Sequence, residues 1–388
     1  MTSKKVLLIC GTRPEIIKMA PVWKALQATP VVTPVLLHTG QHTDMATPLY
    51  AFFDMPPTIT LDLSRKDPSL THLNALLLEK IGAVLLEQRP DAVLVHGDTS
   101  SAMMGAMAAF FQQIPVGHVE AGLRTGEMYS PFPEEMNRSI IGRIAQWHYA
   151  PTKRAGAALT AENINPQNVL TTGNTVIDAA RLTARLLESS PEPFWQDNDL
   201  ANRTAGKKLV LVTAHRRENW GAGLEQIAHA ACDILESQHD VVMVWPLHAN
   251  PAVANTVREV FAARAVPAER AILCAPLDYK ALIKLLTRSF LTLTDSGGIQ
   301  EEAAAFGVPV LVLRDSTERP ELIDAGGGLL TGADRAVIVA ETKALLGSPS
   351  RHAAMANIEN PFGDGTAATQ IVSHLLDSLQ ISIYQAAA

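Results

Sequence analysis

Three carboxylates in the first half of this chain stand just past short apolar runs or loops. Asp98 follows the run 93–96, Glu120 follows 116–119, and Glu134 opens a helical pattern after Ser130-Pro131-Phe132-Pro133. Carboxylates crowded at one end of a sheet raise one another's pKa, so one stays protonated while a neighbour acts as base. That is the equipment for taking a proton from a substrate and giving one back. Helix capping is the competing account of Asp98 and Glu134. It fits Glu120 less well, because Ala121-Gly122-Leu123 does not read as a helix start.

Groups suited to phosphate accompany the carboxylates. Gly11-Thr12-Arg13-Pro14-Glu15 follows the first apolar run, with Thr12 and Glu15 at capping-box spacing and Pro14 in the first turn. Arg13 and Lys18 then put two cations at the positive end of a helix dipole, an arrangement that favours a bound anion such as a diphosphate. In the second half, Asp295-Ser296-Gly297-Gly298 joins an apolar run to a helix-forming one. Glycines there admit a ligand close to the backbone, and the helix start offers N–H groups to a phosphate. Glu301 or Glu302, one turn on, is placed to accept hydrogen bonds from sugar hydroxyls. His215-Arg216-Arg217 ends another run, and Arg319 precedes Pro320. His38 and His248 have no such company in the sequence, and His38 reads as structural.

These groups need a frame. Apolar runs at 6–10, 32–38, 92–96, 116–119 and 147–150, then 209–213, 241–245, 271–273, 290–293 and 308–313, alternate with helical patterns. The alternation predicts parallel sheets with helices on both faces, and the continuous apolarity predicts strands covered on both sides. Residues 189–208 are polar and lack periodicity, which marks a break. The halves also echo each other: strand, acid, small-residue turn, helix, proline, strand recurs around Asp98 and Pro115 and again around Asp295 and Pro309. The expected fold is α/β, two Rossmann-like doubly wound domains facing a central cleft. The N-terminal domain is expected at 1–172, with a last helix at 366–388 packing back on it, and the second domain at 173–365.

Composition narrows the function. A chain of 388 residues with 47% hydrophobic content can build two cores, and its net charge of −7 argues against nucleic acid. The three cysteines (Cys10, Cys232 and Cys274) are odd in number, far apart and set in or beside apolar runs, as expected of reduced thiols in the cytoplasm. No CxxC or HExxH motif suggests a metal, and no GxGxxG or GxxxxGK[ST] suggests a dinucleotide or a P-loop. The apolar run in MTSKKVLLICG is shorter than a signal peptide's, and 102–111 spans half a membrane, so its Met103, Met104 and Met107 read as core filler.

The blocks Gly11 to Pro21, His96-Gly97-Asp98-Thr99, Gly117 to Gly126 and Pro133 to Arg138 occur in order with Thr172 to Asp178, His215 to Glu218, Asp295 to Glu302 and Thr317 to Glu321. Together they resemble the non-hydrolysing UDP-N-acetylglucosamine 2-epimerase family over nearly the whole chain. The resemblance implies a GT-B-like fold, a homodimer, and reversible conversion of UDP-GlcNAc to UDP-ManNAc without nicotinamide or metal. The route it implies is anti elimination of UDP to 2-acetamidoglucal, followed by re-addition. It implies a substrate site of Arg13, Lys18, Asp98, Glu120, His215, Ser296, Gly297, Gly298, Glu302 and Arg319. Asp98, Glu120 and Glu134 are the acid/base set, and His215 joins them as a catalytic residue.

Many bacterial members of that family bind a second UDP-GlcNAc as activator. The corresponding residues here are Gln41, His42 and His248, but Asp67-Pro68 stands where an Arg-Gln type pair aligns, with Arg65 and Lys66 beside it. A hydrolysing epimerase that releases ManNAc and UDP, a glycosyltransferase with a UDP-sugar donor, and a silent UDP-sugar-binding regulator are the alternatives.

Overall fold

The computed structural model describes residues 3–42, 46–65, 67–264 and 266–379. By compactness the chain divides into a first unit, Met1–Ala179 with Gly363–Ala388, and a second unit, Ala180–Phe362. The helix Thr175–Leu186 carries the chain across the division.

The first unit holds a seven-stranded sheet. Its strands are β1 (Lys4–Cys10), β2 (Val32–His38), β3 (Ile59–Thr60), β4 (Ala92–His96), β5 (Val116–Val119), β6 (Trp147–Ala150) and β7 (Val169–Thr171). They lie in the order β3-β2-β1-β4-β5-β6-β7, and every pair is parallel. The second unit holds β8 (Lys208–Thr213), β9 (Val241–Pro246), β10 (Ala271–Cys274), β11 (Ser289–Thr294), β12 (Val310–Val312) and β13 (Gly328–Leu330). Their order is β10-β9-β8-β11-β12-β13, again all parallel.

The internal echo read from sequence is therefore topological. In each sheet the first strand is flanked by the second and the fourth, so the strand order reverses there. Even single bonds recur: Val93 N–H donates to Pro115 O at 2.9 Å, and Thr292 N–H to Pro309 O at 3.0 Å. Open α/β sheets bind ligands past the strand C-termini at this reversal.

Expected strands 6–10 and 92–96 are buried throughout, as strands covered on both faces must be. Leu7 and Ile9 of β1 join a core with Leu73, Leu77 and Ile81 from the helix Leu70–Gln88 and with Ala102, Met103 and Met104 from the helix Ser100–Phe111. His38 bonds Tyr50 Oη through Nδ1 at 2.9 Å in the interior, a structural histidine as expected. The break at 189–208 contains two short helices, Pro193–Asp197 and Leu200–Arg203. Glu192 makes the first possible by accepting from Phe194 N and Trp195 N, a side-chain cap that periodicity does not reveal. The C-terminal helix Ala367–Ser378 belongs to the first unit and packs on the helix Arg13–Gln27. Residues 380–388 of the expected helix lie outside the described residues. Among the described residues, no helix is long and apolar enough to cross a membrane.

Candidate functional site

In the first unit the loops after β1, β4 and β5 and the helix Glu134–Ile144 surround a cavity of about 450 Å³. Asp98, Glu120 and Glu134 all line it, together with Lys18, Gln41, His42 and His96. The three acids read from sequence thus share one site.

The local fold explains their placement. Glu15 is buried, and its Oε2 accepts from Gly11 N at 3.0 Å and Thr12 N at 2.7 Å. Its Oε1 accepts from Thr99 Oγ1 at 2.8 Å, so one carboxylate ties the ends of β1 and β4 together. Burial pushes Glu15 up to about 7. Gly11 is required there, since a Cβ would lie 2.1 Å from Ser101 Oγ and 2.2 Å from Thr39 Oγ1. Thr99, not Asp98, caps the helix Ser100–Phe111 by accepting from Ala102 N, which removes the capping account of Asp98. Glu134 occupies the first helical position after Pro133, at the wall of the cavity.

Asp98 is held by Arg138, whose Nη2 donates to Oδ2, while Asn137 Nδ2 donates to the Asp98 carbonyl at 2.7 Å. Burial pushes the Asp98 carboxyl above the usual range, against the pull of Arg138, and the charges of Glu120 and Glu134 push the same way. Glu120 sits in left-handed backbone at φ 62°, uncommon for a residue with a side chain. Its Oε1 accepts from Lys18 Nζ and, at 2.9 Å, from Asn174 Nδ2. His96 Nε2 lies 3.3 Å from Oε2. Burial lowers His96 to about 4, so this contact is with a neutral ring. His118 donates from Nε2 to Gly97 O at 2.7 Å, and burial lowers it to about 3. Glu135 is structural, because it accepts from Thr125 N and Gly126 N and pairs with Arg138. Arg13 is half-buried at the start of its helix, outside the cavity lining.

In the second unit Asp295 organises the corresponding reversal point. It is fully buried, and its Oδ2 accepts from His215 N at 2.9 Å, Arg216 N at 2.8 Å and Asn219 Nδ2 at 3.0 Å. One side chain so links the end of β11 to the cationic loop after β8. Ser296 precedes the helix Gly297–Ala304, and a Cβ on Gly298 would meet only open space. Arg319 Nε donates to the buried Glu301, and Glu302 is also buried. Arg314 pairs with Glu218 and Glu318, and Arg216 with Glu318. His248, isolated in sequence, has its ring centroid 6.5 Å from that of His215 and 5.8 Å from that of Trp220.

Gln41 Oε1 accepts from Ser101 Oγ at 2.7 Å, and His42 lies beside it in the first-unit cavity. Asp67 accepts from Ser69 N and Ser69 Oγ, bracing the cap of the helix Leu70–Gln88. Lys66 lies outside the described residues. His96, Asn174, Arg138 and Asn137 were not singled out from sequence. Their signal was polarity at positions that burial requires to be partnered, beside motifs already in view.

Two doubly wound parallel sheets, each with charged side chains at its reversal point, define a two-domain α/β protein of the nucleotide-binding kind. Residues 24–376 match the UDP-N-acetylglucosamine 2-epimerase family. The UDP-N-acetylglucosamine 2-epimerase of Escherichia coli strain K12 is 42% identical over 380 residues, covering 96% of this chain and 98% of that one. The structure of UDP-GlcNAc 2-epimerase from Neisseria meningitidis bound to UDP-GlcNAc is 39% identical, with a TM-score of 0.84, covering 96% of this chain and 100% of the other. That of the Methanocaldococcus jannaschii enzyme with UDP-GlcNAc and UDP is 29% identical, with a TM-score of 0.72, covering 97% and 100%. The chain belongs to the UDP-N-acetylglucosamine 2-epimerase family.

Proposed function

We propose that this protein interconverts UDP-GlcNAc and UDP-ManNAc. Family membership supports the reaction, and one observation carries its chemistry: Asp98, Glu120 and Glu134 share a cavity in which their environments differ. Asp98 is pushed toward its protonated form, whereas Glu120 is paired with Lys18. We read the pair as an acid and a base for removal and return of one proton, a reading supported by their different surroundings.

In the proposed route a carboxylate takes the C2 proton while the C1–O bond breaks and its electron pair leaves with UDP. The glycal double bond forms between C1 and C2. Re-addition of UDP at C1 and delivery of a proton to the opposite face of C2 complete the exchange. No carbonyl acidifies C2–H, so stabilising the departing diphosphate matters most, and each well-placed donor supplies about 3 kcal/mol. We assign that task to His215, Arg13, Arg319 and the Ser296-Gly297-Gly298 helix start, with Glu302 on the ribose hydroxyls. Lys18 holds Glu120. Gln41, His42 and His248 are the candidates for a second UDP-GlcNAc, an activation that Asp67-Pro68 in place of the Arg-Gln type pair argues against, and the protein is taken to be a cytoplasmic homodimer.

Incubation with UDP-GlcNAc in deuterated water, with no acceptor present, tests this. The expected result is deuterium at C2 with the UDP linkage retained. Release of ManNAc and UDP would make the protein a hydrolysing epimerase, and turnover only with an acceptor would make it a transferase.

A further inference from the structure

Asn174 is 2% exposed in the turn between β7 and the helix Thr175–Leu186. Both ends of its amide are committed. Oδ1 accepts from Val176 N at 3.0 Å in the first turn of that helix, and Nδ2 donates to Glu120 Oε1 at 2.9 Å. A flipped amide would set its NH2 against an N–H and its carbonyl against a carboxylate, so the helix start fixes which end meets Glu120. The turn itself is pinned: Thr172 N donates to Ala150 O at 3.0 Å, and a Cβ on Gly363 would lie only 3.0 Å from Gly173 Cα. Glu120, two strands away, holds left-handed backbone, a conformation that persists only when its surroundings impose it. Lys18 shares Oε1 but approaches on a flexible stem, so it brings charge more than direction.

We propose that Asn174 is the positioning residue for Glu120: its amide, oriented by the Thr175–Leu186 helix start, aims the carboxylate for proton exchange at the substrate's C2. The proposal rests on the epimerase reading for the substrate, but not for the geometry. Lys18 from the helix Arg13–Gln27 and His96 and Asp98 from the end of β4 also face Glu120.

The test uses Asn174→Ser and Asn174→Asp in the full-length protein. Serine still caps the helix but is too short to reach Glu120. Aspartate also caps it, and sets a second carboxylate against the first. With UDP-GlcNAc, kcat of Asn174→Ser is expected to fall about ten- to hundredfold, the worth of one hydrogen bond to a charged group, with KM changed less than about threefold. Asn174→Asp should fall at least as far. In a Glu120→Gln background the serine substitution should cost less than about twofold more, because the group it aims has gone. A kcat within about twofold of the parent, or an equal loss in both backgrounds, overturns the proposal.

A second readout needs no turnover. The Glu120 carboxyl 13C resonance, assigned by its loss in Glu120→Gln, is titrated in parent and Asn174→Ser. Losing a donor to the ionised form must move the midpoint upward, and an unmoved midpoint rejects the proposal. A parent that binds but never epimerises UDP-GlcNAc would sink the activity and leave this titration to decide the role of Asn174.

Discussion

Replacing Glu15 with glutamine should flatten the pH dependence of the first unit's stability. The carboxylate is buried among Gly11, Thr12 and Thr99, and burial raises it from 4.5 to about 7 despite opposing hydrogen bonds from those three residues. The folded state therefore holds a proton that the unfolded chain has released between these values. Its contribution is fully present below pH 4.5 and is lost as pH rises toward 7. At roughly 1.4 kcal/mol per pKa unit the whole effect is about 3 kcal/mol, of which about 2.5 kcal/mol falls between pH 5 and pH 8. His96, His118 and His148 act with the opposite sign, since burial lowers them to about 4, 3 and 4. Their contribution is lost as pH falls below 6.5, and it is common to both proteins. Urea unfolding of parent and Glu15→Gln at pH 5 and pH 8, followed by a probe in the first unit, isolates Glu15. The difference in midpoint should change by roughly 1 M urea between the two pH values, with the parent losing ground at pH 8. Parallel behaviour would mean that the brace is an ordinary ionised carboxylate, and the argument from burial would fail.

Two further outcomes follow from the charged contacts. Asp98→Asn should lower kcat by about a thousandfold while leaving KM within a few-fold, as measured by coupled assay, because it removes a proton carrier and keeps the shape that Arg138 and Asn137 hold. Arg319→Ala should strip the buried Glu301 of its cation and cost about 3 kcal/mol of second-unit stability in calorimetry, with Glu301→Gln restoring part of the loss.

What the sequence disclosed and what it hid divide along physical lines. All ten expected strands are present, because strands buried on both faces must be apolar throughout and so announce themselves. Ile59–Thr60, Val169–Thr171 and Gly328–Leu330 went unread. Each is an edge strand of two or three residues, with only one neighbour to bond and partial exposure, so it needs no distinctive composition. The strand–turn–helix–strand echo around Asp98 and Asp295 was legible for the same reason that the two sheets share an order: a strand, a tight turn and a returning helix leave the same residue pattern wherever they occur.

The acids themselves were legible from position, but their working states were not. Nothing in the order of residues says that Thr99 rather than Asp98 caps a helix, because both are good caps and only the backbone path decides between them. Nor does it say that Asp295 would be spent on the His215 loop while Asp98, its counterpart in the other sheet, would stay at a cavity. The divergence lies in what meets each carboxylate. Asp295 faces two backbone N–H groups and an asparagine, which fix it as a bracket. Asp98 faces one arginine, and burial with two neighbouring carboxylates pushes it above the usual carboxylate range. Equivalent places in a repeated fold thus yield one carboxylate spent on bracing a loop and one at a cavity. Their difference is set by partners such as Arg138, which reaches Asp98 from forty residues away in the chain.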